Sequence, residues 1–259
     1  MVSRLGKAFE GGGKLVAFIV GGDPTVDESY KIACDVIESG ADVLEVGLPF
    51  SDPMADGPTI QEAGTRALTA GMNTDKYFEL CKRISKKHDA PLVCLTYYNL
   101  VLQYGLGKFS KRCAETGVDG LIVPDLPIEE AGPLRKELEE NNVDFIFLVA
   151  ETTTDERLEK ILKTASGFVY IVALLGTTGA REEISDKLKS LVEKVRSKTK
   201  LPLAVGFGIS KPEHVKEVLS YGADAAIVGS GIVRFVGEDR GGIPGYVKSL
   251  KNAARQKTD

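Results

Sequence analysis

The 259-residue chain is predicted to fold as a (β/α)8 barrel, an α/β fold in which eight parallel strands alternate with helices. Eight short apolar runs rich in β-branched residues recur along the chain, and each is followed by an amphipathic stretch with polar flanks. The runs do not alternate with polar residues, which is typical of parallel strands covered on both faces. About 250 residues suffice for eight such units, so we expect residues 1–259 to form a single barrel domain.

The predicted strands follow one another at nearly even intervals. Most centres are roughly 23 to 33 residues apart, which accommodates one strand and one helix. The step between strands two and three is about 50 residues and contains two helical patterns, at 59–70 and 75–88, so we expect an additional helix after strand two. We also expect an extra helix at the N-terminus. The predicted strands are 15–20, 42–46, 92–96, 120–123, 145–149, 168–172, 201–205 and 225–228.

Local signals place some helix ends. Asp155 stands before the helical pattern 156–163, where it is a candidate N-cap, and the Asn141-Asn142 pair ends the pattern before strand five. An open doubly wound sheet is the main alternative fold. Its dinucleotide-binding form requires G-x-G-x-x-G after the first strand, and the segment 21–24 reads GGDP instead. We therefore favour the barrel, in which active-site residues follow the C-terminal ends of the strands.

Composition excludes several classes of function. The net charge is −4 and there is no long Lys/Arg run, so we expect no nucleic-acid partner. The apolar stretch 168–175 is too short to cross a bilayer, and residues 1–13 lack the apolar segment of a signal peptide. The cysteines have no C-x-x-C spacing and indicate reduced thiols in a cytoplasmic protein. These are Cys34, Cys81, Cys94 and Cys113.

Carboxylates follow the early strands. Glu45 interrupts the apolar run of strand two, where an unpaired charge is unfavourable, so it is either ion-paired or placed for chemistry. Asp56 lies in a loop with three prolines and a glycine, and is a candidate either for catalysis or for capping the helix that opens near Thr59. Asp125 follows strand four, and we expect it to be a turn or cap residue.

Glycines and hydroxyls follow the late strands. The segments Thr178-Gly179, Gly206-x-Gly208 and Gly229-Ser230-Gly231 follow strands six, seven and eight. Barrels often bind phosphate with the backbone N–H groups of these loops and a helix N-terminus. The alternative is that the glycines only form tight turns; their recurrence in consecutive loops favours a phosphate site.

Other catalytic groups are missing from the predicted active-site end. His88 closes one helix and His214 lies in the first turn of another, so we expect both to be plain surface residues. This argues against a histidine-centred metal site and a histidine base. No lysine ends a strand, which disfavours Schiff-base chemistry. What remains is acid/base chemistry by carboxylates on a phosphorylated substrate, with no metal.

The segment 44–61 closely resembles the signature of the tryptophan synthase α subunit family. It reads LEVGLPFSDPMADGPTIQ, a long and specific motif. Shorter matches follow in the family's order along the chain: Gly22-Asp23-Pro24, Tyr97-x-Asn99, Asp125-Leu126-Pro127, Thr178-Gly179, Gly206-Phe207-Gly208-Ile209-Ser210 and Gly229-Ser230. One departure is Ala173, where the family commonly has a serine at the start of the segment after strand six.

The resemblance implies an activity and a partner. The family cleaves indole-3-glycerol phosphate to indole and glyceraldehyde 3-phosphate in a retro-aldol reaction that needs no cofactor. It passes indole to a β subunit in an αββα complex. Pyridoxal phosphate is therefore expected on that partner only.

The resemblance also implies the roles of individual residues. Glu45 is expected to be the acid/base and Asp56 its partner at the indole nitrogen, with Tyr170 assisting. Thr178 is expected to contact Asp56 when substrate closes the site. The residues expected to line the indole pocket are Phe18, Leu95, Ile122 and Phe207, and those expected near the phosphate are Thr178, Gly179, Gly208, Gly229 and Ser230.

Two alternatives to this function remain. One is another phosphate-binding barrel of aromatic amino-acid synthesis, such as an isomerase or an indole-forming synthase. The other is a non-catalytic barrel that serves as a regulatory or scaffolding subunit. The presence of both Glu45 and Asp56 argues against each of them.

Overall fold

Eight parallel strands close into a barrel in sequence order, which confirms the predicted fold. The computed structural model describes residues 2–172, 181–206 and 208–256, without the side chains of residues 181–185. Each predicted strand overlaps an observed one. The strands are β1 Lys14–Val20, β2 Val43–Gly47, β3 Leu92–Leu95, β4 Val118–Ile122, β5 Asp144–Val149, β6 Val169–Val172, β7 Leu203–Gly206 and β8 Ala225–Val228.

Helices surround the barrel, and the predicted extra helices at the N-terminus and after β2 are present. The β3–β4 connection, which the spacing assigns to one helix, contains two, because the chain turns at Gly105 with a φ of 91°. The helices are α1 Arg4–Ala8, α2 Val26–Glu38, α3 Pro58–Thr69, α4 Thr74–Lys87, α5 Tyr98–Tyr104, α6 Leu106–Glu115, α7 Gly132–Glu140, α8 Asp155–Thr164, α9 Arg181–Arg196, α10 Pro212–Ser220, α11 Ser230–Glu238 and α12 Ile243–Arg255.

One of the two predicted helix ends is displaced by a residue. Thr154 caps α8, since its hydroxyl accepts a hydrogen bond from the backbone N–H of Arg157 at 3.3 Å. Asp155 is instead the first residue of the helix, where its charge favours the positive end of the helix dipole. Asn141 ends α7 as predicted, and Asn142 follows in the left-handed conformation with a φ of 56°.

The barrel interior is filled by apolar side chains from alternate strand positions, including Val16, Val93 and Ile146. Helix α1 closes the N-terminal end, where Leu5 and Phe9 pack into the interior and the ring of Phe9 lies 5.1 Å from that of Phe168. The open end of the barrel is therefore the C-terminal end of the strands. None of the helices in the described part of the chain combines the length and apolarity that crossing a bilayer requires.

Three aspartates at the closed end connect neighbouring strands. Each accepts a hydrogen bond from a backbone N–H of the preceding strand and pairs with a basic side chain. The groups are Asp42 with Leu15 and Lys251, Asp119 with Leu92 and Arg4, and Asp224 with Leu203 and Arg196. These carboxylates stabilise the barrel wall on the face opposite the open end.

Candidate active site

Glu45 points into the barrel from the middle of β2, beside Phe18 of β1 and Val93 of β3. The residue is only 1% exposed, and within the described chain no group forms a hydrogen bond with its Oε2 atom. Burial, and to a smaller extent the charge of Asp56, raises the pKa of Glu45 to about 8. Glu45 is therefore a protonated acid at neutral pH.

Asp56 reaches the same cavity from the loop between β2 and α3. Its backbone carbonyl is held by the side-chain amide of Gln61, which donates a hydrogen bond at 2.8 Å. Partial burial raises the pKa of the Asp56 carboxyl, and a hydrogen bond with Tyr97 acts in the opposite direction. The two predicted catalytic carboxyl groups therefore face one cavity, and only Glu45 is fully buried.

Tyr170 lies on β6, four strands from β2 and so on the opposite wall of the barrel. It is buried, and burial, together with the nearby Glu45 carboxylate, raises the pKa of its phenol well above the usual range. A Cβ atom at Gly206 would collide with the Tyr170 hydroxyl, so the glycine makes room for it. Tyr170 consequently keeps its hydroxyl protonated, and this hydroxyl lies beside Gly206 of β7.

A cavity of about 1000 Å³ opens at the C-terminal end of the barrel. The predicted residues in its wall are Phe18, Glu45, Asp56, Leu95, Tyr170, Gly208, Gly229 and Ser230. Ile122 was expected there but is buried among the interior side chains, and the next residue, Val123, lines the cavity instead. Thr178, Gly179 and Phe207 lie outside the described residues, as does Ala173.

Several apolar wall residues were not identified from the sequence. They include Val123, Leu126, Leu148, Val172 and Ile227. Four of them lie within or at the ends of predicted strands, where they resemble ordinary core residues. Whether such a residue lines the cavity or the core depends on its layer along the barrel, which the apolar pattern of the sequence does not show.

The late-strand side of the cavity contains backbone suited to an anion. Gly208 has a φ of 72°, in the left-handed region that favours glycine. Gly229 directly precedes α11, which begins at Ser230, and no side chain of the described residues caps this helix. Backbone N–H groups at an uncapped helix N-terminus are suited to binding an anion.

Tyr97 is a site residue to which the sequence assigned no role, although it belongs to one of the quoted matches. Its hydroxyl accepts a hydrogen bond from the backbone N–H of Ala55 at 3.0 Å. Its ring lies against Phe50, with 5.4 Å between centroids. The following residue, Tyr98, begins α5, and its N–H donates to Asp125 at 2.9 Å. Asp125 is therefore a cap residue, as predicted.

The histidines lie away from the cavity. His88 was expected on the surface, but its side chain is only 12% exposed and its Nε2 lies 3.7 Å from Glu38, because the end of α4 packs toward α2. His214 is half-buried, and its Nδ1 accepts a hydrogen bond from the N–H of Ser210 at 3.4 Å. The described ranges contain no cluster of three or more His, Cys, Asp or Glu side chains arranged to hold a metal ion.

Comparisons with known sequences all point to the same protein family. The sequence profile described as "Tryptophan synthase alpha chain" matches residues 7–258. The tryptophan synthase alpha chain of Methanocaldococcus jannaschii is 52% identical over 242 residues, covering 91% of this chain and 85% of the relative. That of Methanosarcina barkeri is 50% identical over 228 residues, covering 88% of this chain and 85% of the relative.

Solved structures agree with the sequence matches. A chain of Mycobacterium tuberculosis tryptophan synthase superposes with a TM-score of 0.91 at 35% identity, covering 98% of this chain and 99% of that one. A chain of the tryptophan synthase a2b2 complex from Pyrococcus furiosus superposes with a TM-score of 0.88 at 37% identity, covering 93% and 98%. The protein therefore belongs to the tryptophan synthase alpha chain family, and it is a lyase that cleaves indole-3-glycerol phosphate.

Proposed function

We propose that Glu45 and Asp56 carry out the retro-aldol cleavage of indole-3-glycerol phosphate as an acid and a charged partner. The observation that carries this proposal is the environment of Glu45, a buried carboxyl group with a pKa of about 8 and no cation beside it among the described residues. A structural ion pair would hold Glu45 as a charged carboxylate, whereas a general acid must carry a proton at neutral pH. The position of Asp56 on the same cavity supplies the second carboxyl group.

The reaction begins with proton transfer from Glu45 to C3 of the indole ring, which removes the aromaticity of the ring. The positive charge that develops at the ring nitrogen is stabilised by the Asp56 carboxylate, which accepts a hydrogen bond from the ring N–H. Glu45, now ionised, takes the proton of the C3′ hydroxyl. The bond between C3 and C3′ then breaks, its electron pair restores the aromatic ring, and the products are indole and glyceraldehyde 3-phosphate. Acid/base help of this kind accelerates a step roughly 10²–10⁴-fold.

The remaining wall residues bind the two ends of the substrate. Phe18 and Leu95 contact the indole ring, and the Tyr170 hydroxyl orients the Glu45 carboxyl group. Gly208 and the α11 N-terminus at Gly229 and Ser230 hold the phosphate through backbone N–H groups. The roles of Thr178, Gly179 and Phe207 stay predictions from the family resemblance.

The partner in this proposal is a tryptophan synthase β subunit. The related Pyrococcus furiosus structure is described as an a2b2 complex with mutual activation. Met54, in the loop that contains Asp56, is 91% exposed, which suits a partner-binding position close to the catalytic carboxylate. Both proton transfers are assigned to side chains of this chain, so we place the cofactor, pyridoxal phosphate, on the partner alone. The buried free thiols suit the reducing cytoplasm.

Indole release from indole-3-glycerol phosphate tests the proposal. The purified chain should release indole slowly alone and faster with a β subunit. A scaffolding barrel would release no indole, and an isomerase would convert the substrate without producing free indole. The Tyr104→Phe variant, altered outside the cavity wall, serves as a matched control for the purification and should retain wild-type activity.

A further inference from the structure

The catalytic loop between β2 and α3 is fixed at its two ends, while its middle is exposed. Ser51, Asp52 and Met54 are all exposed. At the start of the loop the Phe50 ring packs on Tyr97, and near its end the Ala55 N–H donates to the Tyr97 hydroxyl at 3.0 Å. The side chain of Tyr97, which follows the neighbouring strand β3, therefore contacts both ends of the loop.

The hydroxyl of Tyr97 has one proton to donate, and its surroundings determine the acceptor. The Ala55 N–H occupies a lone pair of the hydroxyl oxygen, so the proton remains available to the carboxylate of the next residue, Asp56, whose pKa the Tyr97 hydroxyl lowers. Burial raises the pKa of the phenol above its usual range, which keeps this proton in place over the working pH range.

Tyr97 is itself held firmly and is separate from the substrate cavity. The residue is 3% exposed, and the adjacent Tyr98 N–H is bound by Asp125. Tyr97 is not among the described residues that line the cavity, although Asp56 is. Tyr97 therefore reaches the cavity through its neighbours Ala55 and Asp56, of which only Asp56 has a side chain that can act on the reaction.

We propose that Tyr97 is the positioning residue of Asp56, holding the catalytic loop at the Ala55 N–H and orienting the Asp56 carboxylate toward the indole nitrogen. This inference rests on the proposed function and adds to it a residue that does not touch the substrate. It differs from a purely structural role because the hydroxyl acts on the same carboxylate that meets the substrate.

A dependence on pH follows from the hydrogen bond. Donation by Tyr97 favours the ionised form of Asp56 and lowers its pKa, against the effect of burial. The other titratable or charged residues in the described cavity wall are Glu45, Asp125, Arg157 and Tyr170, and Arg157 lies 3.6 Å from Glu129. Loss of the Tyr97 hydroxyl therefore raises the pKa of Asp56, and activity at low pH is lost earlier.

The test compares the pH dependence of kcat and KM for the wild type and Tyr97→Phe. The variant keeps the ring against Phe50 and removes the hydroxyl. We expect kcat/KM to fall about tenfold at neutral pH, mostly through kcat, which corresponds to the loss of one hydrogen bond to a charged group. The acid limb of kcat/KM should also move up by about one pH unit.

Tyr104→Phe is the matched control, because the Tyr104 hydroxyl also binds an aspartate, Asp75 at 2.7 Å, away from the cavity. Tyr104→Phe should leave the acid and the basic limb of the pH profile of kcat/KM unchanged. A Tyr97→Phe profile that superposes on the wild type, or that falls equally at every pH, would overturn the positioning role while the proposed function stands. A wild-type chain that releases no indole would overturn both.

Discussion

The two ends of the barrel use carboxylates in opposite ways. At the closed end, Asp42 accepts hydrogen bonds from the Leu15 N–H at 2.7 Å and from the Lys251 ammonium at 2.6 Å. At the open end, Glu45 is more deeply buried, yet its Oε2 has no hydrogen-bond partner in the described part of the chain. Both residues come from the same short stretch of sequence: Asp42 directly precedes β2, and Glu45 lies at the middle of this strand.

The difference shows how environment separates a structural acid from a reactive one. A carboxylate with a cation and a backbone N–H is stabilised in its charged form and strengthens the fold. A carboxyl group buried without such partners keeps its proton, which destabilises the protein at neutral pH but makes the proton available for transfer. Substitution of single side chains at either end of the barrel tests this difference between the carboxyl groups.

The largest effect is expected for Glu45→Gln. The amide keeps the shape of the side chain but has no transferable proton, so turnover should fall at least about a hundredfold with the fold intact. Measurement of indole release together with circular dichroism checks this. A variant that cleaves the substrate near the wild-type rate would show that Glu45 is not the proton donor, and the proposed difference between the two ends of the barrel would be wrong.

Asp56→Asn should reduce turnover by about a hundredfold, because the neutral amide no longer stabilises the charge at the indole nitrogen. KM should change less than kcat, since the charge develops only along the reaction. Steady-state kinetics with the purified chain measure the changes in kcat and KM separately. Equal changes in kcat/KM and substrate binding would assign Asp56 to ground-state binding instead.

At the closed end, Lys251→Met should affect stability but not chemistry. The change leaves the Asp42 carboxylate without its cation, and since Asp42 is 20% exposed we expect a loss of about 2 to 3 kcal/mol in the free energy of unfolding. Urea denaturation measures it, with kcat expected within twofold of wild type. Lys31→Met removes an exposed pair with Glu28 and should change stability little. A large loss of kcat in Lys251→Met would show that the closed end of the barrel affects catalysis at the open end.

The phosphate side of the open end should show a smaller, ligand-specific effect. Gly208→Val should weaken binding of phosphorylated ligands about tenfold, because a side chain obstructs backbone N–H groups. Binding of free indole should change much less. Gly222→Val controls for strain, since Gly222 also has a positive φ, of 95°, and has open space around it. Equal losses for both ligands would indicate general damage to the barrel.

The strands were predictable from sequence because their signals are local, and the resemblance of segment 44–61 to the family motif predicted the two carboxyl groups, Glu45 and Asp56, that face the cavity. An apolar run predicts a buried strand, and Glu45 interrupts one. Other features depend on how distant segments meet. Ala55 and Tyr97 are 42 positions apart and meet only when the barrel closes. The burial of His88 depends on how α4 packs against α2, and whether Ile122 or Val123 lines the cavity depends on which layer of the barrel each occupies.

Glu45 should also make the stability of the wild type depend on pH. The unfolded chain loses the Glu45 proton above its ordinary pKa of 4.5, whereas the folded chain keeps it up to about 8, so the free energy of unfolding falls between these values. Glu45→Gln should therefore be more stable than wild type near pH 8, by a few kcal/mol (on the order of 1.4 kcal/mol per pH unit), and similar at pH 4.

Titration of the Glu45 carboxyl group in the free enzyme shows directly whether this residue holds a proton at neutral pH. Carbon-13 NMR of the side-chain carboxyl, assigned by its absence in Glu45→Gln, reports the protonation state without a substrate. We expect a pKa of about 8, with kcat/KM falling as the pH rises through this value because the acid form is lost. A pKa near the ordinary 4.5 would mean that Glu45 is charged at neutral pH, and it would contradict the role of Glu45 as the proton donor.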